Sequence, residues 1–434
     1  MVPDLLHRLR AAGIGFAGID GAWWRPAVAP FPLPAQAVED LAAISRALFA
    51  LFDAVAEVYG ADPAVTELLE HKVPAHIPRW VSARPVLSLR PDFQLSPRPP
   101  AHLPPRAARP RSDPPPEPSD GGAPGEQVGD GWASGERGED GYQLLATELE
   151  MCPSAHGFAH AMQAAYGLAP DLARAFARFL DGRELWFVGS AHWSEFLIEQ
   201  LAFCRALAEH GARGRVLYDL PLDEIAREFH QGRRWQPPMF GVRRRPAAWD
   251  TDLLGRLSRD GLLDFAWTDA DWRADASQAA VFRFGYFDCF APERLAQFQR
   301  WEAQGTRPLN PATFYLDSKA VLAAARLPRV LERVAARDPA GPDVLARCLP
   351  ETVLLRPAEV ARLADERERW VLKFAGFDNG QQAWGGRHAS AVFLPARPGA
   401  GRQPSHRLRW YHAGLRGHRG RAGARGLPDL RRSF

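Results

Sequence analysis

The chain has 434 residues, 46% of them hydrophobic, enough apolar material for a substantial core spread over two or three structural units. No run of about eighteen apolar residues occurs, and the opening MVPDLLHRLRAAGIGFAGIDG is broken by acidic residues and glycines, so no signal peptide or membrane partner is expected and the location is cytoplasmic by default. The formal net charge of +3 conceals an asymmetry: residues 396–434 hold ten arginines against one acidic residue, Asp429, and because phosphate-neutralising charge must be gathered on a folded face, nucleic acid is not the indicated partner.

Residues 1–83 read as a helical N-terminal region, with VEDLAAISRALFALFDAVAEVYG (38–60) carrying apolar residues at helical spacing and Gly60 as its stop. Two strand-like runs follow, PVLSLRPDFQL (85–95) and YQLLATELE (142–150), within a unit spanning 84–175. Between them, 96–141 is dense in proline, glycine, serine and charge. It has too little apolar area to offset its ordering entropy and is expected to be a disordered insert joining two paired strands.

From residue 184 the pattern is strand, helix, strand: ELWFVG, then SEFLIEQLAFCRALAEHG ended by Gly211, then RGRVLYDL. This βαβ unit places the chain in the α/β class, with a Rossmann-like region over 176–300. The turn Gly189-Ser190-Ala191-His192 lacks the GxGxxG spacing, so no dinucleotide site is supported and a structural role is expected. VFRFGYFDCF (281–290) reads as a further strand of that region; a lobe over 301–395 follows, with a long helical segment expected after Asp317 and the strand ERWVLKFAG leading into the glycine loop FDNGQQAWGGR. Residues 396–434 lack apolar periodicity and are expected to form a disordered basic tail. The four cysteines, Cys152, Cys204, Cys289 and Cys348, form no CxxC pair and read as buried small apolar residues.

Of 54 basic residues only Lys72, Lys319 and Lys373 are lysines. A compact ammonium is not interchangeable with a planar guanidinium at a phosphate site, so the retained lysines are candidates for chemistry, with chance retention as the alternative. Lys319 is expected at the start of a helix and Lys373 on a strand, followed by glycines that let backbone amides approach phosphates. Upstream, alternation puts Arg90 with Asp92 on one strand face and Glu148 with Glu150 on another. If the strands pair as antiparallel neighbours, three carboxylates and a guanidinium converge, a set of hard oxygen ligands that suits Mg²⁺. By periodicity alone they read equally as a solvated strand face.

The ordered set RPDF, TELE, CPSAHG, SKAVLAAA, PETVLL, WVLK and a glycine loop resembles the circularly permuted ATP-grasp ligases related to glutathionylspermidine synthetase, over roughly residues 84–390. The resemblance implies an ATP-grasp-like fold with the Rossmann-like unit as its pre-ATP-grasp part. It assigns Asp92, Glu148 and Glu150 to Mg²⁺, Arg90 to an acyl or nucleotide phosphate, and Lys319, Lys373, Gly385, Gly386 and Arg387 to ATP. Arg283 is a weaker catalytic candidate that reads equally as an ion-pair partner. The activity implied is phosphorylation of a small-molecule or peptide carboxylate by ATP, followed by displacement of the acyl phosphate by an amine, chemistry that rests on positioning and charge stabilisation. Glu150 stands where that family carries asparagine, so substrate identity is not inherited. His156 and His160, at i and i+4, lack an evident third ligand for a metal.

After Gly386-Arg387 the composition departs from that family, as a shift of reading frame near residue 388 would produce. The alternatives are therefore an inactive nucleotide-binding or scaffold protein that retains the fold, or a truncated gene product. Nucleic-acid binding by the tail is a third alternative, disfavoured because its aromatics are limited to Trp410, Tyr411 and Phe434.

Overall fold

The computed structural model describes residue 8, residues 29–97, 142–225 and 253–356 apart from short gaps, and the backbone of 370–374 and 391–395. The expected insert beyond Pro97, the glycine loop and the basic tail lie outside the described residues.

Helix α1 (Ala35–Val58) buries Ile44, Leu48, Leu51, Phe52, Val55 and Val58 along one stripe, the spacing that brings i, i+3 and i+4 side chains onto one face. Gly60 follows with φ +79°. Helix α2 (Pro63–Glu70) starts where the Asp62 carboxylate accepts from the amides of Ala64 and Val65 and proline fills the first helical position. Helix α2 ends at residue 70, and the described residues from 77 to 89 run without regular structure.

Strands β1 (Arg90–Pro97) and β2 (Tyr142–Glu150) pair antiparallel. β1 continues through Ser96 and Pro97, the first two residues assigned to the insert. Helices α3 (His156–Ala165) and α4 (Asp171–Leu180) lead into strand β3 (Glu184–Gly189), helix α5 (Leu197–Glu209) and strand β4 (Gly214–Tyr218). Nearly every residue of α5 is buried, because β3 and β4 lie on one side of it and α3 and α4 on the other.

Helix α6 (Leu253–Arg259) precedes strand β5 (Ala279–Phe284). β5 covers only the first part of the expected strand: Gly285 turns the chain at φ 127°, a conformation glycine supplies without steric cost, and a single 3₁₀ turn, Phe287–Cys289, follows. After helix α7 (Pro292–Ala303), strand β6 (Arg307–Pro308) joins the sheet, which therefore runs past residue 300. The order is β4-β3-β5-β6, with every pairing parallel. An all-parallel sheet flanked by helices explains why β3 and β5 are continuous apolar runs.

The long helix expected after Asp317 is instead three short ones: α8 (Val321–Ala324), α9 (Pro328–Arg337) and α10 (Gly341–Cys348). Proline at the first turn of α9 and of α10 provides the reason, since it cannot continue a preceding helix. Strands β7 (Val353–Leu354), β8 (Trp370–Phe374) and β9 (Ala391–Pro395) form an antiparallel sheet in the order β7-β9-β8. Buried side chains from Ala37 to Leu354 make one continuous core. Cys152, Cys204 and Cys348 are buried in it as free thiols, while Cys289 is half-buried. No helix among the described residues is long and apolar enough to cross a membrane.

Candidate functional site

The β1–β2 register sets Arg90 opposite Glu150 and Asp92 opposite Glu148. Directly opposed residues of an antiparallel pair share a face, and two-residue alternation adds their neighbours, so all four charged groups lie on one side. A bulge follows at once. Register shifts between Asp92 and Phe93, and the Thr147 hydroxyl donates to the Asp92 carbonyl at 3.2 Å.

Lys319 lies in the turn two residues ahead of α8 rather than within a helix. Its Nζ is 2.7 Å from Glu148 Oε1, with the two side chains 11% and 18% exposed. Arg90 Nε is 3.2 Å from Asp92 Oδ1. Tyr286, just past β5, donates from its hydroxyl toward Glu150 at 3.3 Å and 3.4 Å to the two carboxylate oxygens. Burial pushes the Glu150 carboxyl up to about 7, Lys319 and Arg90 pull it down, and Glu148 and Asp92 add to the rise. The shift is one of desolvation reinforced by like charge.

Three carboxylates on one face are not one metal cage. Among the described residues no group of three His, Cys, Asp or Glu side chains could hold a metal ion. Asp92 pairs with Arg90, Glu148 with Lys319, and Glu150 with Tyr286. Mg²⁺ needs only one or two carboxylates when phosphates and waters complete its shell. Asp92 and Glu148 match that requirement in chemical type. Glu150 matches it less well, because burial raises its carboxyl toward the neutral form.

Arg283 is closed off behind this face. Its guanidinium forms a two-point pair with Asp317, at 2.7 Å and 2.9 Å, and the two side chains are 1% and 0% exposed. It also donates to the Gly285 carbonyl at 2.6 Å, while Asp317 accepts from the Phe287 amide at 3.1 Å. Asn310 ties this pair to the strand hairpin, donating to the carbonyls of Met151 at 2.6 Å and Arg283 at 2.7 Å and accepting from the Arg283 amide at 2.8 Å. Of the two readings for Arg283, the ion pair is the one the structure shows.

Lys373 lies on β8 opposite Val392 of β9; Gly385, Gly386 and Arg387 lie outside the described residues. Tyr286, Asp317 and Asn310 were missed by sequence reasoning. Tyr286 is hidden inside an apolar run, and Asp317 and Asn310 belong to no periodic pattern; the nearest signal was the closeness of Asp317 to Lys319 in YLDSK.

No protein-family model matches the chain, and no curated protein matches it at a significant level.

Proposed function

We propose that the chain is an ATP-dependent carboxylate–amine ligase of ATP-grasp-like architecture. The observation that carries this reading is the β1–β2 register, which opposes Arg90 to Glu150 and Asp92 to Glu148 with the Lys319 ammonium 2.7 Å from Glu148. The α/β framework accords with it. Lys319 would turn from Glu148 to the nucleotide phosphates, and Arg90, whose side chain is 39% exposed beside Asp92, would neutralise charge on the phosphorylated carboxylate. Asp92 and Glu148 would hold Mg²⁺, which supplies charge neutralisation between phosphate oxygens when bound. Lys373 would provide the second lysine contact to ATP, and Gly385, Gly386 and Arg387 the covering loop. The chain's contribution is placement and charge, without a nucleophilic side chain.

A second reading is favoured by one observation: each candidate ligand already has a partner within the protein, and Glu150 is held toward its neutral form. In that reading the fold binds nucleotide without turnover. Calorimetric titration of the full chain with ATP and Mg²⁺ tests both. The unaltered protein should bind, and Lys319→Ala should bind about 10- to 100-fold more weakly, the cost of one hydrogen bond between charged groups. Equal affinity in the two would remove Lys319 from the site. ADP release with carboxylates and hydroxylamine as the amine distinguishes the readings, since only the ligase turns over.

A further inference from the structure

His156 opens α3 six residues after Glu150, and its half-buried ring packs against phenylalanines from four elements. Centroids lie 5.8 Å from Phe176 on α4, 5.4 Å from Phe187 on β3, 5.5 Å from Phe203 on α5 and 5.1 Å from Phe282 on β5. Nδ1 is buried with no hydrogen-bond partner, so a proton added there meets no acceptor. The backbone beside the ring is tightly held. At the next residue, Gly157, a Cβ would fall 1.9 Å from the Glu199 carbonyl oxygen, and the amides of Gly157 and Phe158 donate to Glu199 Oε2 at 2.7 Å and 3.3 Å. The start of α3 is therefore pressed onto α5 and capped by its carboxylate.

The charged and titratable groups around the ring do not favour a cation. Arg90 on β1 opposes one. Glu199 on α5 is committed to the two amides, and His160, one turn along α3, is itself disfavoured as a cation by burial, with Glu209 opposing that effect. From α4, β3 and β5 the neighbours in ring contact are phenylalanines. Phenylalanine faces attract a cation only weakly, less than the hydration an imidazolium forfeits at a buried Nδ1 that has no acceptor.

We propose that His156 is an acid-sensitive latch between the charged strand pair and the parallel sheet: protonation expels the ring from its phenylalanine cage and releases the start of α3 with the segment leading back to Glu150. Burial holds the ring near 4 against an ordinary 6.5. For a base depressed in this way, closure is fully present above 6.5 and is lost as pH falls toward 4. Between pH 7.5 and pH 5 the opening equilibrium therefore rises about 25-fold.

Hydrogen exchange of the full chain, corrected for the intrinsic effect of pH on amide exchange, tests this. Protection across 156–165 should fall about 25-fold more between pH 7.5 and pH 5 in the unaltered protein than in His156→Phe, while α9 shows no such difference. Equal falls in the two proteins, or no fall in the unaltered one, would overturn the latch. If His156→Phe does not fold, NMR titration of the His156 ring in the unaltered chain decides: a midpoint well below 6.5, accompanied by loss of α3 signals, supports the latch, and a midpoint at or above 6.5 ends it.

Discussion

Arg90 with Asp92 and Arg283 with Asp317 are the same two residue types in contrasting surroundings. The first pair sits two residues apart on one strand, 39% and 51% exposed, with Nε and Oδ1 3.2 Å apart. The second joins β5 to the turn before α8, is shut away from solvent, and is braced by the Gly285 carbonyl and the Phe287 amide, although Arg283 Nε is buried with no hydrogen-bond partner. Water can replace either partner of the exposed pair at small cost, so its charges are available to a ligand. Separating the buried pair would leave uncompensated charge in the interior. Exposure, not residue identity, distinguishes a group that can exchange partners from one that holds the fold.

Breaking the buried pair is expected to have the largest effect. Asp317→Ala should cost about 3–5 kcal/mol, because Arg283 remains buried without its counter-charge; denaturant unfolding reads this as a lower midpoint. A loss below about 1 kcal/mol would mean that the surroundings relax to let water reach Arg283.

Glu150→Gln sharpens the comparison from the middle ground, since this carboxyl is partly buried within the charged cluster. Its value is raised from 4.5 to about 7 by burial first of all. The folded state thus binds the proton more tightly than the unfolded chain, and stability declines as pH rises from 4.5 to 7. The glutamine variant should be more stable than the parent at pH 8, by about 1–2 kcal/mol, and the advantage should vanish near pH 4. His156 acts with the opposite slope in an overlapping window, so the parent's own pH profile understates both. Thermal melts of the single variants across pH 4–8 separate them; a variant no more stable than the parent at pH 8 would show that Lys319 fully compensates the Glu150 charge.

The smallest effect is expected at the exposed pair. Arg90→Ala should change unfolding free energy by less than about 1 kcal/mol, while ATP affinity, if Arg90 faces the phosphates, should fall. A large stability loss from this substitution would show that Arg90 belongs to the framework after all.

Much of this contrast could not be read along the chain. Alternation in RPDF and TELE put the correct side chains on common faces, and the β1–β2 register agrees with it. Alternation says nothing of depth, so it could not separate Glu150, desolvated beside Tyr286, from the exposed Asp92 two positions from its cross-strand partner. Arg283 and Asp317 are 34 residues apart, and an ion pair across that distance leaves no periodic trace. The three-way break after Asp317 was signalled locally by Pro328 and Pro342, which the apolar run SKAVLAAA outweighed in the expectation of one helix.

What the sequence by itself determined is whatever depends on neighbours along the chain: the apolar stripe of α1, the Asp62 cap and Pro63 start of α2, the βαβ order around Gly211, and the facing of β1 and β2. These follow from residue spacing and backbone stereochemistry, which act over a few residues. Only the tertiary structure decided that Tyr286 meets Glu150, that Asp317 rather than a ligand takes Arg283, and that phenylalanines from four elements close on His156. Desolvation and charge pairing depend on what the fold packs together from distant segments, so their outcome is set by the assembled core.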